Sequence, residues 1–498
     1  MRTMAVVILS VLSISAANLP GALNVLVIGS THSYSEGEGS GAANRRAFNA
    51  AAAADSLRTI LANDPKYKNT ANVVFEDIFR TKTLPTAVGG GARMMTMEYR
   101  CYSLAQYYFW PDGRDKRLAN LSGSGKTKWS HVVIVGDPYI LANMPGVYAE
   151  GANLIADTVR KGAGKPILLM PWPEGESSDA TAHFGQIIYR VGKGAKIPVA
   201  PAGYAWSTLA KKDESSRHPT TGGAYLAAAC IYSEIFDRAA TSSRKSEQSL
   251  AEHAFKTVKA NKTKVQYTGR FEFKNPFAMK YVTRSSITFN HTGSSSENGI
   301  QGALIAAIKR CKVNCRKIGR GASGANAKID FNYGRANTIF EPRKKYKVDP
   351  KRFGRSYGFP MQDHGKTAAE TMLYGIDKRY MGGKRYDDGT DLGIAYDMIR
   401  QGEVASDIRA VPIRLMWAKL HDANPKLKPM RDSWHMSRYL DEATGTFMYT
   451  LLSGRRPVGA QPSAKGGEAW NRWLGQKIGY ETAYRMAHLV SPPPNSRR

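Results

Sequence analysis

The sequence predicts an α/β protein of two domains, in which mostly parallel sheets are covered by helices on both faces. Three observations predict this class. Short apolar runs, such as VLVI, HVVIV and PILLM, alternate with helical segments, and this alternation is typical of a parallel sheet. The chain has 498 residues, too many for one ordinary domain. Segments near the end of each half resemble each other, which indicates a duplicated domain.

The first half contains five apolar runs that we interpret as strands, at 25–28, 72–79, 131–135, 166–170 and 197–201. The segments between and after them predict helices at 43–61, 148–161, 184–191 and 224–236. Residues 239–264 are rich in Lys, Ser, Glu and Thr and predict a solvated helix and connector.

The second half starts with a predicted strand at 286–289 and a predicted helix at 300–308. It closes with a predicted strand at 409–415 and a helix at 443–452. A tryptophan and then a histidine follow the last predicted strand of each half. The pairs are Trp206 with His218 and Trp417 with His435.

The N-terminus has the pattern of a secretory signal. Arg2 precedes an apolar run from Ala5 to Ile14, and small residues follow at 15–17. The run is too short to span a bilayer, and no later stretch is apolar for long enough to do so. The pattern predicts a secreted or periplasmic protein; a buried first strand or a membrane anchor is the alternative.

The chain is strongly basic, with a formal net charge of +30. Residues 309–385 hold 20 Lys or Arg against 6 Asp or Glu. A basic surface attracts polyanions. For an exported protein we expect an acidic or sulfated glycan, or an anionic envelope surface, and not nucleic acid. A solvated basic face without a ligand is the alternative.

The four cysteines do not form a metal-binding pattern. Cys311 and Cys315 have the spacing of one helical face, where they would form a disulfide or remain free thiols. We therefore expect neither a metal nor a cofactor.

Two blocks of the second half carry residue types that serine ester hydrolysis needs: a hydroxyl on a tight turn, a histidine base and an acid that orients it. The first block, 293–299, is a Gly/Ser-rich loop between a predicted strand and a predicted helix, with Ser295 near its centre. The second block places Asp432 three residues before His435. The structural alternatives are a polar loop that caps the next helix, and an aspartate that caps the helix after it.

These blocks resemble the first and last blocks of the SGNH (GDSL-type) hydrolases. The resemblance implies Ser295 as the nucleophile, His435 as the base and Asp432 as the residue that orients it. Ser294 stands where the family has an aspartate.

The first half resembles the same superfamily over most of 24–237, with departures at the catalytic positions. The run from His218 to Ala228 resembles the family's His-Pro block, but Ser215 occupies the position of the acid. Thr31 stands at the nucleophile position, with Ser30 and Ser33 beside it. Gly136-Asp137-Pro138 replaces the family's asparagine block. Ser30, Ser33 and His218 are therefore weaker site candidates, in a first half expected to shape the cleft or bind substrate.

The resemblance implies two flavodoxin-like three-layer α/β/α (SGNH-type) domains. We expect a signal peptide at 1–22, an SGNH-like domain at 23–238, a linker at 239–280, a second such domain at 281–460 and a C-terminal extension at 461–498. The expected function is an exported serine esterase, with a carbohydrate O-deacetylase as the narrower form and an acylated glycan as its partner. The alternative is a non-catalytic protein that binds an acidic polysaccharide or the cell envelope through its basic face.

Overall fold

The computed structural model describes residues 22–31, 48–88, 93–101, 103–143, 145–173, 178–209, 221–262, 285–292, 298–318, 331–335, 356–359, 379–381, 384–386, 408–431 and 435–490. The predicted signal peptide and most of the basic segment 309–385 lie outside these ranges.

The first half is built on a five-stranded parallel sheet in the order β2-β1-β5-β6-β7. Its strands are β1 Leu23–Gly29, β2 Ala71–Asp77, β5 His131–Val135, β6 Lys165–Leu169 and β7 Val199–Ala200. The helices of this half are α1 Ala50–Asn63, α2 Leu104–Phe109, α3 Arg114–Leu121, α4 Pro138–Asn143, α5 Pro145–Lys161, α6 Ser178–Ala195, α7 Ala202–Ser207, α8 Thr221–Phe236 and α9 Lys245–Asn261.

Both faces of this sheet are buried at its central strands β1, β5 and β6, as the apolar runs predict. Along β1, Val25 and Val27 pack into one core with α1, α8 and α9. Leu26 and Ile28 point the opposite way, into a core that contains α2, α5 and α6. Because successive strand residues alternate between faces, a continuous apolar strand needs helices on both sides. The first half therefore has the predicted three layers.

An antiparallel hairpin interrupts the first half after β2, which the sequence analysis does not anticipate. Its strands are β3 Arg80–Val88 and β4 Arg93–Cys101, paired from Arg80↔Cys101 to Val88↔Arg93. The hairpin starts at the carboxyl end of β2, where we expect ligands of a parallel sheet to bind.

The second half contains another five-stranded parallel sheet, ordered β9-β8-β10-β11-β14. The strands are β8 Ser286–Thr292, β9 Asn314–Ile318, β10 Phe331–Arg335, β11 Ser356–Phe359 and β14 Ile408–Ala410, and a small antiparallel pair joins β12 Arg379–Met381 to β13 Lys384–Tyr386. The described helices are α10 Asn298–Arg310, α11 Ile413–Ala423, α12 Arg438–Ser453 and α13 Glu468–His488.

The two sheets have the same strand order. If the strands of each sheet are numbered separately along the chain, both run 2-1-3-4-5. The helices repeat as well, because α8 packs between α1 and α9, and α12 packs between α10 and α13. This arrangement confirms the predicted α/β class with two mostly parallel sheets. The domain boundaries and the duplication remain predictions.

The fifth strand of each half leads into a helix through a proline. Pro201 precedes α7 and Pro412 precedes α11. Trp206 and Trp417 occupy the fifth position of these two helices, and both are buried. The predicted strand at 409–415 is therefore too long: β14 ends at Ala410, and the helix begins at Ile413 because Pro412 has no N–H to continue a ladder.

Two other expectations differ from the structure. The helix predicted within 239–264 is present as α9, but it is not fully solvated, because it buries Ala251, Ala254 and Val258 against the first core. Cys311 and Cys315 do not share a helical face, because α10 ends at Arg310 and Cys315 lies in β9; Lys312 adopts a left-handed φ of 57° between them. All four cysteines are free.

Two glycines allow α13 to lie against the backbone of α12. A Cβ at Gly475 would be 2.2 Å from the carbonyl oxygen of Tyr439, and one at Gly479 would be 2.2 Å from that of Ala443. At both positions there is therefore space only for the hydrogen atom of a glycine and not for a methyl group.

We expect Gly479→Ala to lower the free energy of unfolding by about 1–3 kcal/mol, because the new methyl group pushes two helices apart. Gly302→Ala is the matched control. Gly302 lies inside α10 with open space around its Cβ position, so alanine there should stabilise by up to about 1 kcal/mol through helix propensity. Urea denaturation of both variants measures the difference, and equal effects would contradict the close-packing argument.

Candidate functional site

Both sheets have a point at which the strand order reverses, and this point locates the candidate sites. It lies between β1 and β5 in the first half and between β8 and β10 in the second. Ligands of open parallel sheets bind in the crevice at the carboxyl ends of such strands. The predicted nucleophile loops, after β1 and after β8, both start there.

In the first half, the loop after β1 is held by an aspartate. Thr31 donates its hydroxyl proton to the Asp77 carboxylate, and its backbone N–H is 3.4 Å from Asp77 Oδ1. Asp77 Oδ1 also accepts from the N–H of Phe79 at 2.9 Å. The residue at the expected nucleophile position is thus paired with a carboxylate at the end of the neighbouring strand. This pairing fixes the turn.

Asp137 follows β5 at the same edge and is buried. Its Oδ1 accepts from the N–H of Ile140 at 3.1 Å, so the side chain caps the start of α4. The preceding Gly136 is needed for close packing, since a Cβ there would be 2.4 Å from the ring of Tyr148. Where the SGNH hydrolases have an asparagine block, this chain therefore has an aspartate that caps a helix.

Aromatic side chains pack together at the carboxyl edge of the first sheet. Trp172, which follows β6, stacks on Trp206 with ring centroids 4.9 Å apart, and Phe48 meets Trp172 edge-on at 4.8 Å. A Cβ at Gly223, in the first turn of α8, would be 3.3 Å from both tryptophan rings. These aromatic rings line the region where α8 begins. The first residue of α8 comes three residues after His218 in the sequence.

In the second half, His435 lies in a closed turn that leads into α12. Its carbonyl accepts from the N–H of Arg431 at 2.8 Å, and the N–H of Ser437 donates to Pro429 at 2.8 Å. Met430 and Met436 form an antiparallel bridge inside the same turn. The His435 side chain is half-buried. His435 therefore lies at the end of this turn, three residues before the first residue of α12.

The first turns of α10 and α12 touch each other. A Cβ at Gly299 would be 1.9 Å from Asp441 Oδ2, so only glycine fits beside this carboxyl group. Ser295 lies three residues before α10 and His435 three residues before α12. Three residues reach at most roughly 10 Å. The helix that follows the predicted nucleophile loop therefore begins beside the helix that follows His435.

Asp441 is the most perturbed carboxyl group near this contact. Burial raises its pKa to about 8, Arg431 acts to lower the pKa, and Glu442 acts to raise it. Only 5% of Asp441 is exposed to solvent. A carboxyl group in this state carries its proton at neutral pH and is a hydrogen-bond donor.

Of the predicted site residues, Ser30 and His435 lie within the described residues. Ser30 is buried directly after β1, and His435 stands in the turn before α12. Ser33, His218, Ser295 and Asp432 lie outside the described residues, so both sets remain predictions.

Two acidic residues of these edges, Asp77 and Asp441, were not predicted from the sequence. Asp77 is the last residue of a strand next to β1, and this position was a usable signal. Asp441 lies six residues after His435, and only the packing of α12 on α10 shows its place.

Within the described ranges, no group of three or more His, Cys, Asp or Glu side chains is arranged to hold a metal ion. The same residues contain no helix that is long and apolar enough to cross a bilayer.

Burial raises the thiol pKa of Cys101 and of Cys230.

No family model matches the sequence, and no curated protein matches it. Solved structures with similar chains include a candidate SGNH hydrolase from Slackia heliotrinireducens, 14% identical with a TM-score of 0.29, over 43% of this chain and 99% of that one. TesA is 15% identical with a TM-score of 0.27, over 43% of this chain and 98% of its own. A DUF4886 family protein from Bacteroides uniformis is 11% identical with a TM-score of 0.29, over 50% of this chain and 98% of that one. At these TM-scores the likeness carries no argument, and the α/β class rests on the strand order.

Proposed function

We propose that the protein is an exported serine ester hydrolase of the SGNH type, with its site in the second half. One observation carries the proposal: the contact between Gly299 and Asp441 joins the helix that follows Ser295 to the helix that follows His435. A carbohydrate O-deacetylase is the narrower form, because the basic chain favours an acidic or sulfated acylated glycan.

In this mechanism Ser295 Oγ attacks the acyl carbonyl carbon while His435 takes the hydroxyl proton. Asp432 orients the imidazole through its other ring nitrogen. The backbone N–H of Ser295 is one donor to the oxyanion. His435 then returns the proton to the alcohol that leaves, and water, activated by the same imidazole, releases the acid from Ser295. The chemistry requires no cofactor.

We assign the first half a supporting role. Thr31 at the expected nucleophile position is paired with Asp77, and Asp137 caps a helix. These pairings support a copy of the fold that shapes the cleft or binds substrate. A catalytic first half would need Ser30 or Ser33 with His218.

A fluorophosphonate probe with a p-nitrophenyl acetate assay tests the proposal. We expect the mature protein to be labelled at Ser295, and Ser295→Ala to lower hydrolysis by at least about a thousandfold. Ser296→Ala is the control, because it changes a hydroxyl in the same loop. Labelling that is lost only in Ser30→Ala or Ser33→Ala would move the active site to the first half.

The second candidate function is binding without catalysis. Segment 309–385 favours it, because this segment holds 20 basic residues and only 6 acidic ones. The expected partner is an acidic polysaccharide or an anionic envelope surface. Retention on a heparin-like column without any probe labelling would support this candidate and reject hydrolysis.

A further inference from the structure

Two buried polar groups in the first turn of α12 have no hydrogen-bond partner among the described residues. They are Ser437 Oγ and Asp441 Oδ1, and each residue is only 5% exposed. Residues four apart lie on the same face of a helix. A buried polar group without a hydrogen-bond partner lowers the stability of the folded protein by about 1–3 kcal/mol, and this face of α12 carries two such groups. Ser437 stands at the N-cap position, yet its side chain makes no capping bond.

This face of α12 meets the first turn of α10. The position of a Cβ on Gly299 is 1.9 Å from Asp441 Oδ2 and 3.0 Å from Oδ1. The carboxyl group thus lies against the first turn of the helix that starts three residues after Ser295.

We propose that Asp441 is a positioning residue of the second-half site, which anchors the first turn of α10 against the first turn of α12. This inference rests on the proposed function for its catalytic meaning. The anchoring of α10 can be measured without that function.

The charge on Asp441 decides whether this anchor holds. The charged groups that act on it are Arg431 in the preceding turn and Glu442 on its own helix. Glu442 in turn pairs with Arg310 of α10 and Arg472 of α13. Burial raises the pKa of Asp441 to about 8. Below this pH the neutral acid stays in its buried place. Above it, the ionised group must gain water or a cation, and the first turn of α10 loosens.

Hydrogen exchange of the full-length protein at pH 6 and pH 9 measures the anchoring directly, after correction for intrinsic exchange rates. In the wild type we expect the amides of residues 298–304 to lose about a hundredfold in protection at pH 9 relative to the amides of α9. A solvent-exposed Asp441 is already ionised at pH 6, whereas the buried group keeps its proton up to about pH 8, and each of these two pH units is a factor of about ten. Asp441→Asn should keep its protection at both pH values. Asp441→Ala should show low protection at both.

The control is Glu234→Gln, which removes a half-buried carboxyl group in α8 of the first half and should leave this pH response as in the wild type. Equal pH responses in wild type and Asp441→Asn would overturn the anchoring, as would full protection in Asp441→Ala.

The rate of fluorophosphonate labelling across the same pH range is the second measurement. We expect labelling of the wild type to fall above about pH 8 and that of Asp441→Asn to persist. Coincident pH profiles would overturn the positioning role. Absence of labelling in the wild type at every pH would overturn the proposed function and the catalytic meaning of Asp441, whereas the exchange data decide the anchoring separately.

Discussion

Replacement of Glu150 by glutamine is expected to lower the free energy of unfolding by roughly 3–5 kcal/mol. The Glu150 carboxylate is fully buried on α5, with Lys419 Nζ at 3.0 Å and Arg485 Nε at 3.0 Å. The lysine contact is an aligned hydrogen bond, and the arginine contact is close but not aligned as one. Without the carboxylate, two cations of α11 and α13, whose side chains are 11% and 14% exposed, stay close together with no negative charge between them.

The matched control is Glu468→Gln, which breaks an ion pair of 2.9 Å with Arg438 at the surface. These two side chains are 62% and 64% exposed, so the loss should be at most about 1 kcal/mol. Urea denaturation followed by fluorescence and circular dichroism gives both values. Similar losses in the two variants would show that burial does not distinguish the Glu150 pair.

Asp441→Asn is expected to stabilise the protein at alkaline pH by several kcal/mol, while its effect at pH 4 stays small. The pKa of Asp441 is raised from 3.8 in the unfolded chain to about 8 in the folded protein. Between these values the folded state holds a proton that the unfolded state has lost. The contribution of Asp441 to stability is therefore complete below about pH 4 and declines as pH rises to about 8. A shift of this size corresponds to a decline on the order of 5 kcal/mol.

Urea denaturation of wild type and Asp441→Asn from pH 4 to pH 9 measures the difference in unfolding free energy, which removes the contribution of the other titrating groups. Glu234→Gln is the comparison variant, because burial raises the pKa of Glu234 only to about 6. Its difference from the wild type should stop growing near pH 6. A difference for Asp441→Asn that does not change with pH would mean that Asp441 is ionised in the folded protein.

Much of the first half could be predicted from local pattern. Continuous apolar runs bounded by glycine or proline located four of its five sheet strands, since a strand covered on both faces has no polar residue to obscure it. The exception is β2, which contains Glu76 and Asp77. The hairpin β3–β4 was missed because neither of its strands is such a run. Helix α13 was treated as an extension because the close approach of Gly475 and Gly479 to α12 is a tertiary feature.

Less of the candidate site than of the first half's fold could be predicted from the sequence. His435 could be singled out from its spacing to Asp432, because that spacing is local. The partnership of Asp441 with Gly299 joins residues far apart along the chain, and the raised pKa of Asp441 comes from burial. Neither property is encoded by neighbouring residues, so no motif reports them.

The packing of α13 on α5 has a consequence for biosynthesis. Met486 of α13 lies against Gly146 of α5, and Arg485 reaches Glu150 on the same helix. The ribosome makes α13 long after α5, so this flank of the first half stays uncovered while most of the second half is being translated. During that interval the apolar flank of α5 and the Glu150 carboxylate are exposed to water, and exposed apolar surface makes an incomplete chain prone to aggregation.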